Sequence, residues 1–221
     1  MNPTHTNQQN TRLLDALTSK NSSTRLHAAQ AAGTHPDPAL ADALVARCAV
    51  ESDFFVRETL TWALTRLPAE ITVPRLVAAL RSERAQARSQ ALHTLSKIGD
   101  RSAWPAITPA LLHDADDEVA RSAWRAAVAL VPDGEQRALA EELAAELGRG
   151  DRTTRLSLSR ALTALADVIE PALRGGLASA DPTVRAHADA TQRLLHDPEA
   201  AYDEGRRIVA LGSHQVEGTT C

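Results

Sequence analysis

The sequence predicts an all-α protein built as an α-solenoid, in which helical hairpins stack side by side. A short pattern recurs six times, at intervals of 32, 31, 32, 35 and 30 residues. Small or apolar residues stand mostly at offsets 0, 4, 7, 8 and 11 of each copy, which form one face of a helix. Helical patterns repeated at such a period are typical of stacked hairpins that share a core. The copies begin at Thr24, Val56, Ala87, Val119, Thr154 and Val184.

The composition favours the same class. Hydrophobic residues make up 43% of the 221 residues and aromatic residues only 3%, which predicts a core of alanine and leucine. Small alanine side chains let helices approach closely, whereas β-rich folds need more β-branched and aromatic residues. Trp104 and Trp124 are expected to fill joints between repeats. The net charge of −4 gives no overall attraction for polyphosphate, so nucleic acid is a disfavoured partner that would need a local basic strip.

Each copy is predicted to be the second helix of a hairpin, opened by a polar capping residue. Five of the six copies have Asp or Asn three residues before the start, where the side chain accepts hydrogen bonds from free helix amides. First helices are expected, for example, at residues 39–49 and 73–80, with prolines such as Pro74 at helix starts. The predicted caps are Asn21, Asp53, Asp116, Asp151 and Asp181, with Arg84 as the exception.

These units resemble the HEAT-repeat family, particularly the short bacterial units also seen in phycobilisome lyase proteins. The segments 87–100, 114–127 and 179–190 carry the resemblance, which extends over roughly residues 11–197. It implies a right-handed superhelix of about six HEAT-like hairpins, and a non-enzymatic scaffold that binds a partner. The family's helix-start arginine, expected to bridge to a neighbouring turn, recurs at Arg25, Arg57, Arg88, Arg155 and Arg185 and is replaced by Ala120 in the fourth copy.

We expect one repeat domain over residues 11–211, closed by a capping helix at 198–211. The polar ends, residues 1–10 and 212–221, are expected to be disordered. No signal peptide or long apolar run is found, so we expect a cytoplasmic protein that does not bind membranes. The two cysteines, Cys48 and Cys221, and the scattered histidines have no metal-ligand spacing, so no metal or cofactor is expected.

The candidate binding surface comes from offset 6 of the repeat, which is predicted to line the concave wall. A tryptophan, a histidine and two arginines on successive helices offer a stacking surface and donors for carboxylate or phosphate oxygens. This groove would bind a protein segment or a small anionic ligand. The alternative is a solvated groove in which the tryptophan packs against Phe54 or Phe55. The candidate residues are Trp62, His93, Arg125 and Arg160, flanked by Glu58, Arg66, Lys97 and Arg121.

Residues 52–66 also resemble a stretch of the AlkD-like DNA glycosylases, which are themselves HEAT-like. That resemblance implies that Trp62 faces DNA and that Arg57 is a structural or phosphate partner. The carboxylate that would stabilise a glycosyl cation is missing from its expected spacing, so we assign no catalytic residue. Kinship with the lyase units adds another alternative, a chaperone for a chromophore.

Overall fold

The computed structural model describes residues 3–197, in which every regular element is helical. Consecutive helices pair into hairpins, from α1 with α2 to α11 with α12, so the all-α repeat prediction is confirmed. The α-helices are α1 (Pro3–Leu17), α2 (Ser22–Thr34), α3 (Ala41–Cys48), α4 (Phe54–Thr65), α5 (Ala69–Ala79), α6 (Ala85–Ile98), α7 (Pro109–Leu112), α8 (Asp117–Leu130), α9 (Gln136–Ala144), α10 (Arg152–Thr163), α11 (Ile169–Leu177) and α12 (Pro182–His196).

The chain divides into two compact units, Met1–Glu135 and Gln136–Cys221, whereas the sequence predicts one continuous domain. The first unit contains α1–α8, and the described part of the second contains α9–α12. Sequence periodicity records only which face of each helix is apolar. The repeat pattern is therefore the same on both sides of the boundary between the units. The predicted capping helix at 198–211 and tail at 212–221 lie outside the described residues.

The N-terminal segment differs from its prediction. Helix α1 begins at Pro3, so residues 3–10 are helical where we expected disorder. The Asn10 side-chain amide donates a hydrogen bond to Asp37 Oδ2 at 2.7 Å, which ties the helix to the following repeat. The Leu17 side chain is buried at the other end of α1. Tertiary contacts therefore offset the weak apolar content of this segment.

The capping prediction is confirmed at every predicted position. Asp53 accepts hydrogen bonds from the amides of Phe55 and Val56, and the other predicted caps bind the opening amides of their helices in the same way. Arg84 opens α6 without a side-chain hydrogen bond, as its side chain has no acceptor. The cap residues therefore fix where each second helix begins.

The predicted apolar face forms the core of the repeats. In the copies that begin at Val56 and Val119 all five pattern positions are buried, from Val56 to Leu67 and from Val119 to Leu130. Offset 5 is also buried in most copies, which the pattern did not predict. Trp124 occupies that offset in α8, is fully buried, and donates from Nε1 to the Leu112 carbonyl at 2.9 Å. This hydrogen bond joins α7 and α8 of one hairpin, whereas the sequence predicted Trp124 at a joint between repeats.

The helix-start arginines donate hydrogen bonds to the turns that precede their own helices. Arg57 Nη1 donates to the carbonyls of Glu51 and Ser52 at 3.0 and 2.8 Å. The same pair of contacts, to carbonyls five and six residues earlier, is made by Arg25, Arg88 and Arg185. Arg155 departs from the pattern and reaches only the Asp151 carbonyl, at 3.4 Å. The expected structural role of these residues is therefore observed, mainly on their own turns.

Two of these arginines also bind a carboxylate in the next repeat. Arg25 holds the fully buried Glu51 through two hydrogen bonds of 2.6 and 2.7 Å, and Arg88 holds Asp114 in the same way. Arg47 donates a third side-chain hydrogen bond to Glu51 at 2.9 Å. Although burial opposes ionisation, hydrogen bonds from Arg25, the Asp53 amide and Arg47 lower the pKa of Glu51 to about 2.

The first helices are less regular than predicted. The predicted helix at 73–80 begins earlier, at Ala69, so Pro74 lies inside α5 and not at its start. A proline at this position removes only the backbone hydrogen bond to the Glu70 carbonyl, which lies in the first turn of α5. The predicted helix at 39–49 is split into a 3₁₀ turn, Pro38–Leu40, and α3.

Candidate functional site

An open apolar depression of about 510 Å³ lies between α2 and α4 in the first unit. Its aromatic walls are Phe55 and Trp62, which are 70% and 42% exposed. Both come from α4, where a buried stripe at Val56 and Leu60 turns the remaining face outward. The depression is lined by Leu26, Gln30, Phe55, Glu58, Thr59 and Trp62.

The Trp62 ring lies directly against the backbone of α2. A Cβ atom built on Gly33 would stand only 2.2 Å from Trp62 Cζ3, so no residue larger than glycine fits without moving the indole. Gly33 lies in the last turn of α2, which ends at Thr34. Its absent side chain is what allows the indole to approach the neighbouring helix so closely.

The two phenylalanines differ in their surroundings. The rings of Phe54 and Phe55 form an edge-to-face pair with centroids 5.6 Å apart, and the Arg57 guanidinium lies 6.0 Å from the Phe54 centroid. Only Phe55 lines the depression. Trp62 packs on Gly33, with Phe55 lining the same depression, and not on a phenylalanine as in the alternative raised by the sequence.

Glu58 connects the depression to the predicted row of polar residues. Its Oε1 lies 3.3 Å from Nε2 of the half-buried His93 on α6, without the geometry of a hydrogen bond. Burial lowers the pKa of His93, and the positive charges of Arg125 and Lys97 lower it further, whereas Glu58 raises it. His93 is therefore predominantly neutral at neutral pH.

Arg125 lies on α8 at the position equivalent to His93. Its guanidinium donates to Ser122 Oγ at 3.1 Å, and no carboxylate among the described residues pairs with it. Partial desolvation and the like charge of Arg121 lower the pKa of Arg125. Arg121 itself is bound to Glu118. Glu58, His93, Lys97, Arg121 and Arg125 thus share one electrostatic environment on three successive second helices.

The remaining candidates are not joined to this cluster by any described contact. Arg66 is exposed at the C-terminal end of α4, one turn beyond Trp62. Arg160 is exposed on α10 and belongs to the second unit. Sequence periodicity identified the row but missed Leu26, Thr59 and Gly33, because these depend on how α2 and α4 approach each other.

Two groups with nucleophilic or acid–base chemistry are buried away from solvent. Desolvation raises the pKa of Cys48 to about 12, so its thiol stays protonated. In the second unit, His187 accepts a hydrogen bond from the Gly148 amide at Nδ1, so Nε2 carries the proton that faces Ser159 and the Arg155 carbonyl. This tautomer does not act as a base toward Ser159. No cluster with metal-binding geometry occurs within residues 3–197.

Residues 56–130, which contain most of α4 and all of α5 to α8, match the family model for HEAT repeats. This stretch is a HEAT-repeat array. The predicted resemblance is therefore confirmed, and the matched HEAT repeats include most of the site: Trp62 and the Glu58–His93–Arg125 cluster. No curated protein sequence matches the chain significantly. None of the helices in the described part is long and apolar enough to span a bilayer.

One similar solved structure is the complex of CpcE and CpcF of phycocyanin lyase from Nostoc sp. PCC7120. It is 19% identical to this chain, with a TM-score of 0.36, and the match covers 83% of this chain and 93% of that chain. Similarity at this level supports no transfer of activity or partner to the HEAT repeats described here.

Proposed function

We propose that the chain is a non-enzymatic HEAT-repeat module that binds a protein segment at the depression between α2 and α4. The single observation that carries this proposal is the exposure of Phe55 and Trp62 around one apolar depression, in a chain that is 3% aromatic. Aromatic side chains bury large areas at a low entropic cost and dominate the energetics of many interfaces. An apolar side chain of the bound segment would occupy the space between the two rings.

The contact between Trp62 and Gly33 supports a preformed site. The indole packs against Gly33 of α2, so the ring already occupies a defined position before a ligand arrives. A preorganised anchor loses less conformational entropy on binding than a mobile side chain does. The 42% exposure of Trp62 leaves its other surface accessible to a partner.

A selection from a random peptide library displayed on phage tests this proposal. Wild-type protein should enrich peptides with a large apolar residue, and Trp62→Ala should weaken their binding by about thirtyfold, the effect of losing an interface hot spot of about 2 kcal/mol. Phe54→Ala is the matched control, because Phe54 is an exposed aromatic residue on the same helix and does not line the depression.

Circular dichroism melting curves would establish that both variants remain folded. Equal binding of the selected peptides by wild type and Trp62→Ala would contradict the proposal, as would a library that yields no binders at all. A similar loss in Phe54→Ala would move the binding surface away from the depression.

A further inference from the structure

The groove next to the depression contains positive charge that the protein does not neutralise. Lys97 and Arg125 are both exposed, and neither forms an ion pair with a described residue. Lys97 lies one turn beyond His93 on α6, and Arg125 lies on α8, which packs against α6, so the two like charges stand on neighbouring helices. Crowded cations of this kind are stabilised when a ligand supplies an anion.

Arg125 has donors available for such an anion. Its one described side-chain hydrogen bond goes to the neutral Ser122 hydroxyl, which leaves most of its five N–H donors without a protein acceptor. Arg121 is already bound by Glu118 and is therefore not counted among the groups that would bind the anion. Lys97 adds a flexible ammonium from the adjacent helix α6.

The flanking acids limit what this positive surface accepts. Glu58 and Glu118 lie beside three cations, Lys97, Arg121 and Arg125, and with neutral His93 the cluster has one net positive charge. A single carboxylate matches that charge. A polyphosphate backbone would place several negative charges against the two glutamates, which is unfavourable.

We propose that the segment bound at the depression carries an acidic side chain, and that Arg125 and Lys97 bind its carboxylate. This inference rests on the proposed function, since the apolar anchor at Trp62 brings the segment to the groove. Glu58 lies between the two subsites and repels a carboxylate placed near the aromatic rings. The acidic residue therefore sits on the α6–α8 side, which gives the bound segment a direction.

The test repeats the peptide selection on full-length protein and on Arg125→Glu. Wild type should enrich peptides that have Asp or Glu at a fixed spacing from the apolar anchor. Arg125→Glu should lose that preference and favour Lys or Arg at the same position. The control is Arg81→Glu, the same charge change at an exposed arginine after α5 that lines a separate cavity near Asp114.

A double-mutant cycle on one selected peptide gives the magnitude. Replacing its acid with the amide should weaken binding to wild type about two- to fivefold, the range for a partly exposed ion pair. The same replacement should have a smaller effect on Arg125→Ala, in which only Lys97 remains to bind the acid. Salt should reduce the wild-type affinity for the acidic peptide more than for the amide peptide.

The outcomes separate the inference from the proposed function. Peptides that need Trp62 but show no acidic preference, and that bind Arg125→Glu as well as wild type, would overturn the anion subsite and leave the apolar site standing. Equal losses in Arg81→Glu and Arg125→Glu would reduce the effect to net charge and also overturn it. An absence of peptides that depend on Trp62 would remove both.

Discussion

At the scale of single residues, ion pairs in this protein range from fully buried to fully accessible. Glu51 has no exposed surface and accepts hydrogen bonds from Arg25, Arg47 and the Asp53 amide, whereas Asp42 pairs with Arg75 in water. Removing one partner from a buried pair leaves the other charge buried and unpaired. When an exposed pair loses one partner, water solvates the remaining charge. Burial therefore decides which arginine–carboxylate pairs stabilise the fold.

We predict that Glu51→Ala lowers the free energy of unfolding by about 3–5 kcal/mol, because Arg25 is left buried and unpaired. Asp42→Ala should cost at most about 1 kcal/mol. Urea unfolding at neutral pH, followed by circular dichroism, measures both. Equal costs would mean that water reaches Glu51.

Because the pKa of Glu51 is lower in the folded protein than in the unfolded chain, its contribution to stability is present above the unfolded value near 4.5 and is lost as pH falls toward 2.

At the scale of the elements, two adjacent glycines of α11 face opposite surroundings. Gly175 is exposed, and a Cβ atom built on it would have no neighbouring atom within 4 Å. A Cβ atom built on Gly176 would lie 2.6 Å from Leu147 Cδ1 and 3.0 Å from Ala188 Cβ. Gly176 thus lets α11 pack closely on α12 and on the segment after α9. Substitution of each glycine in turn therefore distinguishes the effect of helix propensity from the effect of packing.

Gly175→Ala should stabilise the protein by about 0.5–1 kcal/mol, because alanine restricts the unfolded chain and favours helix. Gly176→Ala gains the same propensity but forces Leu147 to move, at a cost of about 1–3 kcal/mol for overpacking, so it should be destabilising. Denaturant midpoints of the two variants measure the difference. Stabilisation by both substitutions would show that α11 moves away from α12 without cost.

At the scale of the whole molecule, the features predicted from sequence are those set within one helix. Caps such as Asp53, and apolar faces such as Val119 to Leu130, depend on residues a few positions apart, so periodicity was sufficient. The contact of Trp62 with Gly33 and the approach of Glu58 to His93 join different repeats. Their geometry depends on how neighbouring helices pack, which a repeat pattern does not encode.

The charge of the whole chain argues against the DNA-binding alternative. Acidic residues outnumber lysine and arginine, 28 to 24, and four helix-start arginines direct an Nη1 group to backbone carbonyls of their own turns. Arg57, which the glycosylase resemblance offered as a phosphate partner, is one of them. These guanidiniums are already engaged in the fold and contribute less to a continuous basic track along a duplex.

We therefore predict no stable complex with alkylated or abasic duplex DNA at moderate salt in a gel-shift assay. Any retardation at low salt should be the same for wild type and Trp62→Ala, because it would be non-specific attraction to local cations and would not involve the aromatic depression. A band shift that weakens steeply with salt, is stronger for damaged than for intact duplex, and disappears in Trp62→Ala would contradict this prediction. That result would place the damaged base against the indole, on the surface where we place the apolar side chain of a protein segment.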